Sequence, residues 1–513
     1  MNRKLHIAYF LSAVNEFVGG ADQTLFMQAY LMSSVNEVTV ILPCDINGKY
    51  NTIFQKKCND MCLNYKIMKY DAAYSIRRIN AVGYLDAARE IENFVTNQKI
   101  DILHSVQMNP AVEYVAGKCK IPHVMNIYSL DAWEWQIPYS KILPRYVSSD
   151  SVFFLEKWKE YLQCSGKCIR VYSGIKVNKN YLECHKETMV LGTSGTLCEY
   201  KNQLEVIKAV ETVIKQGRRI RLLLAGSRES AYGDECREYI KSHHLQDSIK
   251  LLGFMEDMSS FYEQIDVLVC GSKRESFPAS IVEAMSCDIP IISTPVAGVP
   301  EILNNGTNAY ITEGYSADSL AKTIEKLLGD HNNGNLYSLL ENARKTYDQF
   351  FSGEAVKKQL SDLYHDMLSQ PALQSGEITF HAELKRQIEP LIRRVKKTGI
   401  TREDAEEVYS RMLYFMQIRD KITAKECYIW GAGKWGRLTK IILDSFMEEI
   451  HIRAFVDENK AGYFEGIDVI KKEAMVLQGD IAVFIGFMSG QEKAVEYLNN
   501  KNMEILKSVF IVA

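Results

Sequence analysis

The chain has no stretch approaching the eighteen uninterrupted apolar residues of a membrane span, so a spanning helix is not expected. It has no marked charge of either sign. The 61 Lys and Arg stand against 64 Asp and Glu, a formal net charge of −3, so no global nucleic-acid surface is expected and any basic surface must be local. Cysteine at metal-binding spacing is also missing. Only Cys58 with Cys62, and Cys164 with Cys168, lie close in sequence, and neither pair has matching His or Cys partners. The twelve cysteines therefore read as reduced thiols of a cytoplasmic protein. There is no internal repeat beyond a domain-level echo, and no low-complexity tract. The start, MNRKLHIAYFLSAV, has an apolar run too short for a signal peptide, interrupted soon after by Asn15 and Glu16, and reads as a first buried strand.

What is present is the rhythm of an α/β protein. At 513 residues, 47% of them hydrophobic, the chain is long enough for several cores. KLHIAYFL, EVTVILP, DILHSV and PHVMNIY are short apolar runs with helical patterns between them, as βαβ units require. The rhythm restarts with MVLGTSG, IRLLLAGS, IKLLGF, DVLVCGS, PIISTP and NAYIT. Two Rossmann-like domains facing a cleft are expected, over residues 1–180 and 181–370. A charged helical linker follows over 371–425, and a small third Rossmann-like α/β domain over 426–513. Open parallel sheets bind ligands beyond the carboxyl ends of their strands.

The most informative segment is KRESFPASIVEAM. Glu275 falls on the loop after the strand DVLVC, Pro278 suits a first helical position, and Glu283 falls one to two turns into the following helix. Free N–H groups of Ala279 and Ser280 at the helix start suit a diphosphate. A carboxylate beside them can accept hydrogen bonds from ribose hydroxyls. Two glutamates at this spacing are also what a solvated loop and helix would carry, so the surrounding string decides.

From Lys273 to Ile311 that string resembles the E-x7-E signature of retaining glycosyltransferase family 4, which has the GT-B fold. The matching pieces are Glu275, Phe277-Pro278, Glu283-Ala284-Met285, Ile289-Pro290 and Gly298 through Glu301. The resemblance implies that Glu283 holds the ribose and Glu275 approaches the transferred sugar. GTSGTLCEYKNQLEVIKAV is similar to the family segment whose Arg and Lys neutralise the diphosphate. Lys201 matches the Lys, while Thr196 stands where Arg is usual and Asn202 where Gly is usual. Lys273 or Arg274 either replaces the missing cation or is a solvated loop charge. Gly253 and Phe254 fall where the family's backbone meets the nucleobase. Gly19 and Gly20 resemble a Gly-Gly loop near the diphosphate and acceptor, with a plain turn as the alternative. Tyr128 stands where a His near the sugar is usual; His104 and His123 read as structural.

The resemblance implies sugar transfer from a nucleoside-diphosphate sugar, UDP favoured, to a glycan or lipid-linked acceptor, with retention of configuration. It fits bacterial surface polysaccharide or glycoconjugate synthesis. No Asp-x-Asp occupies a suitable loop, so no metal and no cofactor is expected. In the last domain CYIWGAGKWGRLTKIILDSF carries Gly431, Gly433 and Gly436 as G-x-G-x-x-G between a strand and a helix. Asp457 follows about twenty residues later, the context of a dinucleotide site for NAD or another nucleotide. A docking or vestigial role is equally open. LKRQIEPLIRRVKK, residues 384–397, has six basic residues against one acidic, which suits peripheral membrane association or, equally, a solvated or docking helix face. Two rival readings stand beside the transferase: an NAD-dependent sugar-modifying enzyme centred on Gly431–Gly436, and a nucleotide-binding scaffold that has lost catalysis. Neither the sugar nor the oligomeric state follows from these residues.

Overall fold

The computed structural model describes residues 3–369 apart from 15–18, 45–47, 71–80, 107–109, 129–145, 163, 173, 176, 178–187, 227–229, 256 and 335. It then describes 422–512 apart from 488–489 and 505–507, with Phe415 and Arg419 from the preceding stretch. The basic segment 384–397, with Arg393, Arg394, Lys396 and Lys397, lies outside the described residues.

The first sheet contains β1 (His6–Phe10), β2 (Glu37–Cys44), β3 (Asn64–Lys69), β4 (Ile102–Val106), β5 (His123–Asn126), β6 (Tyr146–Ser149) and β7 (Ser165–Cys168). All pair in parallel in the order β3-β2-β1-β4-β5-β6-β7. Every residue of β1, β4, β5 and β6 is buried. Strands covered by helices on both faces must be apolar or internally bonded throughout, which is why they read as continuous runs. The second sheet contains β8 (Met189–Ser194), β9 (Ile220–Ala225), β10 (Ile249–Gly253), β11 (Val267–Cys270), β12 (Ile291–Ser293) and β13 (Tyr310–Ile311). Its order, β10-β9-β8-β11-β12-β13, is also all parallel. In each sheet the first strand in sequence lies inside, and the order reverses beside it. The carboxyl ends of the strands carry the loops on which the candidate site is built.

Helix Gly353–Ser369 crosses from the second domain back onto the first. Its Val356, Leu360, Leu363, Tyr364 and Met367 share one core with Ile7, Tyr9, Phe26, Val40 and Val124. A directed polar chain pins it there. Tyr9 Oη lies 2.6 Å from Tyr364 Oη, which lies 2.7 Å from His104 Nδ1, and His104 Nε2 lies 2.6 Å from Asn126 Oδ1. Asn126 uses its amide N–H on Gln28 Oε1, 2.9 Å away. Its oxygen therefore faces His104, whose proton sits on Nε2. Burial pushes the His104 pKa down to about 3, so the ring is neutral and structural. His123 is likewise enclosed, between Glu113 and Ser105.

The third sheet contains β14 (Glu426–Trp430), β15 (His451–Val456), β16 (Gly462–Phe464), β17 (Ile467–Ile470), β18 (Ile481–Ile485) and β19 (Val509–Ile511). Its order is β16-β17-β15-β14-β18-β19, parallel except for the β16–β17 hairpin. Its core is continuous with the first domain: Met125, Ile127, Val147, Leu155 and Trp158 cluster with Phe415, Cys427, Ile429, Leu438 and Phe484. Among the described residues no helix is long and apolar enough to cross a membrane.

Candidate active site

The loop after β11 brings the sequence candidates together. Lys201 Nζ forms an ion pair with Glu275 Oε1, and Ser272 Oγ donates to the same oxygen at 3.1 Å. Burial alone would push the Lys201 pKa down, but the charge and hydrogen bond of Glu275 outweigh it and hold the pKa above the ordinary lysine value. The Lys201 charge also reaches Glu283. Burial raises the Glu283 pKa, while the hydrogen bond from Tyr262 and the Lys201 ammonium pull the other way. One cation thus serves both carboxylates.

Asn202 explains the departure from glycine at its position. It precedes helix Gln203–Lys215 with φ +62°, a left-handed conformation that Gly and Asn adopt most readily. Its side-chain amide donates to the carbonyls of Gly271 (3.0 Å) and Tyr315 (2.9 Å), tying the Lys201 loop to the Glu275 loop. The backbone N–H of Lys273 adds a bond to Tyr200 O at 2.7 Å. Thr196, at the position of the missing arginine, is exposed, and its carbonyl accepts from Gln203. Lys273 and Arg274 are exposed on the loop surface, the Arg274 guanidinium 5.8 Å from the Tyr200 ring centre.

Helix Ala279–Ser286 begins one residue later than the sequence suggests. Pro278 is its cap residue, with φ −65° and ψ 117°, rather than its first turn, and its carbonyl already accepts from Ile281 N–H. Among the described residues the N–H groups of Ala279 and Ser280 have no partner, so the helix presents two free donors. Glu283 lies just over one turn in. Its Oε2 accepts from Tyr262 Oη at 2.6 Å, and its Oε1 has no partner among the described residues. Sequence reasoning missed Tyr262, because a tyrosine in the apolar pattern FYEQIDVLV looks like any core residue. Gly253, at φ +81°, ends β10 and turns Phe254 outward, where the ring is 68% exposed. A bare aromatic ring at a strand's carboxyl end suits a nucleobase face.

No described hydrogen bond joins the first-domain candidates Gly19, Gly20 or Tyr128 to this group. Gly19 caps helix Gly20–Ser33 at φ −74° without a side-chain bond, and a methyl group at Gly20 would meet nothing within 4 Å. Neither glycine has a left-handed backbone. Tyr128 turns its hydroxyl inward, buried and unpartnered among the described residues, with its pKa pushed well up by burial and by Asp150.

The two domains meet at a polar seam absent from the sequence reading. Ser276 Oγ donates to Asp150 Oδ1. Arg170, 8% exposed, donates to Asp150 O at 2.7 Å and pairs with Glu301 at 3.0 Å. Glu301 also accepts the N–H groups of Val152 and Phe153, capping helix Val152–Leu162 from across the seam. Burial pushes the Asp150 pKa up to about 7, against the opposing effects of Ser276 and Arg170.

In the third domain, Gly431 has φ +119°, and a methyl group on Gly436 would lie 1.9 Å from Gly431 O, so the loop and helix touch as the glycine pattern demands. Asp457 does reach this loop, but its carboxylate is engaged there. Oδ2 accepts from Ala432 N–H at 2.9 Å, and Oδ1 from Asn459 and Lys460 N–H at 2.9 and 3.0 Å. Burial would raise its pKa; those bonds and Lys460 hold it below the usual value. Around Gly433 there is open space.

The two facing parallel sheets, the crossover helix and the loop-borne site define the GT-B fold. Residues 177–346 match the family model for glycosyl transferases group 1. The capsular polysaccharide biosynthesis glycosyltransferase CapM of Staphylococcus aureus is 27% identical over 199 residues, 38% of this chain and 50% of CapM, so the chain spans half of that relative. Among solved structures, a glycosyltransferase from Rickettsia africae aligns over 72% of this chain and all of its own, with TM-score 0.59 and 18% identity. Anabaena HepE, solved in complex with UDP and glucose, aligns over 70% of this chain and 99% of its own, with TM-score 0.57 and 18% identity.

Proposed function

We propose that the chain is a retaining glycosyltransferase. It moves a sugar from a nucleoside-diphosphate sugar, UDP favoured, to a glycan or lipid-linked acceptor in bacterial surface polysaccharide or glycoconjugate synthesis. The observation that carries this reading is the cluster of Lys201, Glu275 and Glu283 around the uncapped start of helix Ala279–Ser286. The diphosphate takes the Ala279 and Ser280 N–H groups and the Lys201 ammonium, which together stabilise the leaving-group charge. Lys201 leaves Glu275 as it turns to the diphosphate, freeing that carboxylate for the sugar hydroxyls and the developing positive charge. Glu283 accepts the ribose hydroxyls through Oε1 while Tyr262 holds Oε2, and Phe254 covers the base. The group 1 match and the likeness to CapM support the class; retention rests on the E-x7-E resemblance. Incubation with a panel of UDP- and GDP-sugars tests it. Slow release of UDP from at least one donor is expected, and a protein that neither binds UDP or GDP nor hydrolyses any donor would sink the reading.

The third domain is better read as a docking unit than as a second catalytic site. Its core runs into that of the first domain, and Asp457 is held by its own loop.

Tyr262→Phe gives a pH test. A carboxyl group accepts ribose hydroxyls most strongly when ionised, because hydrogen bonds to a charged acceptor are the stronger ones. Glu283 already has a raised pKa, so nucleotide affinity should fall as pH drops, sooner than for an ordinary glutamate. Removing the Tyr262 hydroxyl removes a bond to the charged form and raises that pKa further. Relative to wild type, UDP affinity should drop about tenfold at the acid end of the profile and less at its alkaline end. Parallel pH profiles of the two proteins in titration calorimetry would show that Tyr262 does not tune Glu283.

A further inference from the structure

We infer that Asp150, supported by Arg170, is a positioning residue that fixes Glu275 from across the domain seam. The inference rests on the donor-site reading above and adds first-domain residues to it.

The loop that carries Glu275 is held on its own side by Asn202, Thr294 and Gly298. Asn202 bonds Gly271 O, Thr294 Oγ1 donates to Ser272 O at 2.5 Å, and Gly298 N–H donates to Ser276 O at 3.0 Å. Those bonds fix the backbone before and after Glu275. The next two side chains both reach across the seam. Ser276 Oγ donates to the Asp150 carboxylate. The Phe277 ring lies beneath the Arg170 guanidinium, 6.0 Å from its centre, and against Phe351 at 5.2 Å. Asp150 and Ser276 are both almost fully buried, 5% exposed each. A surface pairing of this kind would contribute little; a buried one has few alternative partners and fixes its geometry.

Arg170 makes the arrangement stiff. Its backbone N–H donates to Gln359 Oε1 at 2.9 Å, and Gln359 in turn donates to Phe350 O at 3.0 Å. Its guanidinium joins Asp150 O to Glu301, whose carboxylate caps helix Val152–Leu162. First domain, second domain and crossover helix therefore meet at one residue, Arg170, through its backbone N–H and its guanidinium. The approach is also close: a methyl group at Gly298 would lie 2.6 Å from Ser151 Cβ and 2.7 Å from Ser276 O. Because Ser276 is the immediate neighbour of Glu275, the position of the first domain is transmitted directly to the carboxylate that meets the sugar. Glu275 is set correctly when the domains are seated, which ties chemistry to the acceptor-side domain.

The test uses the full chain with Asp150→Ala, Asp150→Asn and Ser276→Ala. Asp150→Ala and Ser276→Ala should each lower the turnover of a hydrolysed UDP-sugar by about 10- to 100-fold, with UDP affinity unchanged. The double variant should be no worse than either single one. Asp150→Asn keeps an acceptor oxygen for Ser276 and should restore most of the turnover. Amide hydrogen exchange over Gly271–Phe277 should be faster in both alanine variants than in wild type, a readout independent of turnover. Wild-type turnover and unchanged exchange in Asp150→Ala would overturn the inference, as would equal losses of UDP affinity and turnover, which would mark a merely structural seam. A wild-type protein that neither binds UDP nor hydrolyses any donor would instead remove the donor-site reading, and this inference with it.

Discussion

Glu283→Ala should weaken UDP binding by about 100- to 1,000-fold, on the basis of two hydrogen bonds to a charged acceptor at roughly 1.5–3 kcal/mol each, not fully additive. The loss should appear in the affinity for UDP alone, because the ribose is not the reacting part of the donor, and calorimetric titration reads it directly. The same residue makes an opposite prediction for stability. Burial raises the Glu283 pKa, so the folded state holds that proton more tightly than the unfolded chain. The corresponding stability is present at acid pH and lost as pH rises through the folded pKa; above that pH the buried, ionised carboxylate is a cost. Glu283→Gln keeps the shape and an acceptor for Tyr262 without the charge. It should raise Tm by about 1–4 °C at pH values above the folded Glu283 pKa, with the gain growing as pH rises, while still losing most UDP affinity. A more stable protein that binds less well is the signature of a group kept for function. Unchanged UDP affinity in Glu283→Ala would show that the ribose contact is assigned to the wrong residue.

What the sequence made legible follows from how each feature is encoded. The strands MVLGTSG, IRLLLAGS and DVLVCGS stand out because both faces of a parallel sheet are covered, so nearly every position is apolar or small, with exposed Arg221 the exception. β3, in which only Met68 is buried, and the four-residue β6 and β7 carry no such run. Their existence is decided by the neighbours they pair with. Glu275 and Glu283 were legible because a loop and a helix start place them locally, whereas Lys201, 74 residues from Glu275 in sequence, was legible only through the segment it resembles. Tyr262, Asp150, Arg170 and Ser276 were not, since each acquires its partner from a distant segment: 21 residues away for Tyr262 with Glu283, 126 for Asp150 with Ser276. Helix Gly353–Ser369 shows the same limit. Its apolar stripe predicts a buried face, but nothing in the stripe says that the face belongs to the first domain. Asp457 illustrates the converse: its spacing from the glycines placed it at the loop, while only the backbone geometry shows its oxygens engaged there.

Lys201→Ala should lower turnover by about 100- to 1,000-fold, the scale lost when one preorganised group is removed from a developing negative charge. On the proposed function, Thr196 stands where the resembled family has a second cation, so Lys201 should carry more of the diphosphate charge here than where an arginine helps it. Its raised pKa keeps it protonated throughout the neutral range; the ion pair's contribution to stability is fully present there and fades only as pH climbs through the folded lysine pKa. Activity between pH 6 and 9 should therefore show no limb from Lys201. Lys201→Arg keeps charge but replaces a compact ammonium with a planar fork, and should recover only part of the rate. The substitution to alanine also leaves Glu275, 16% exposed at its side chain, without its partner, so some stability should be lost as well. Lys201→Ala with Glu275→Ala separates the two effects. Removing both charges should return Tm toward wild type, since an unpaired carboxylate is worse than none, while turnover stays at or below that of either single variant. If the double variant recovered turnover along with Tm, Lys201 would be a structural counter-ion to Glu275 and the diphosphate would have to be neutralised elsewhere.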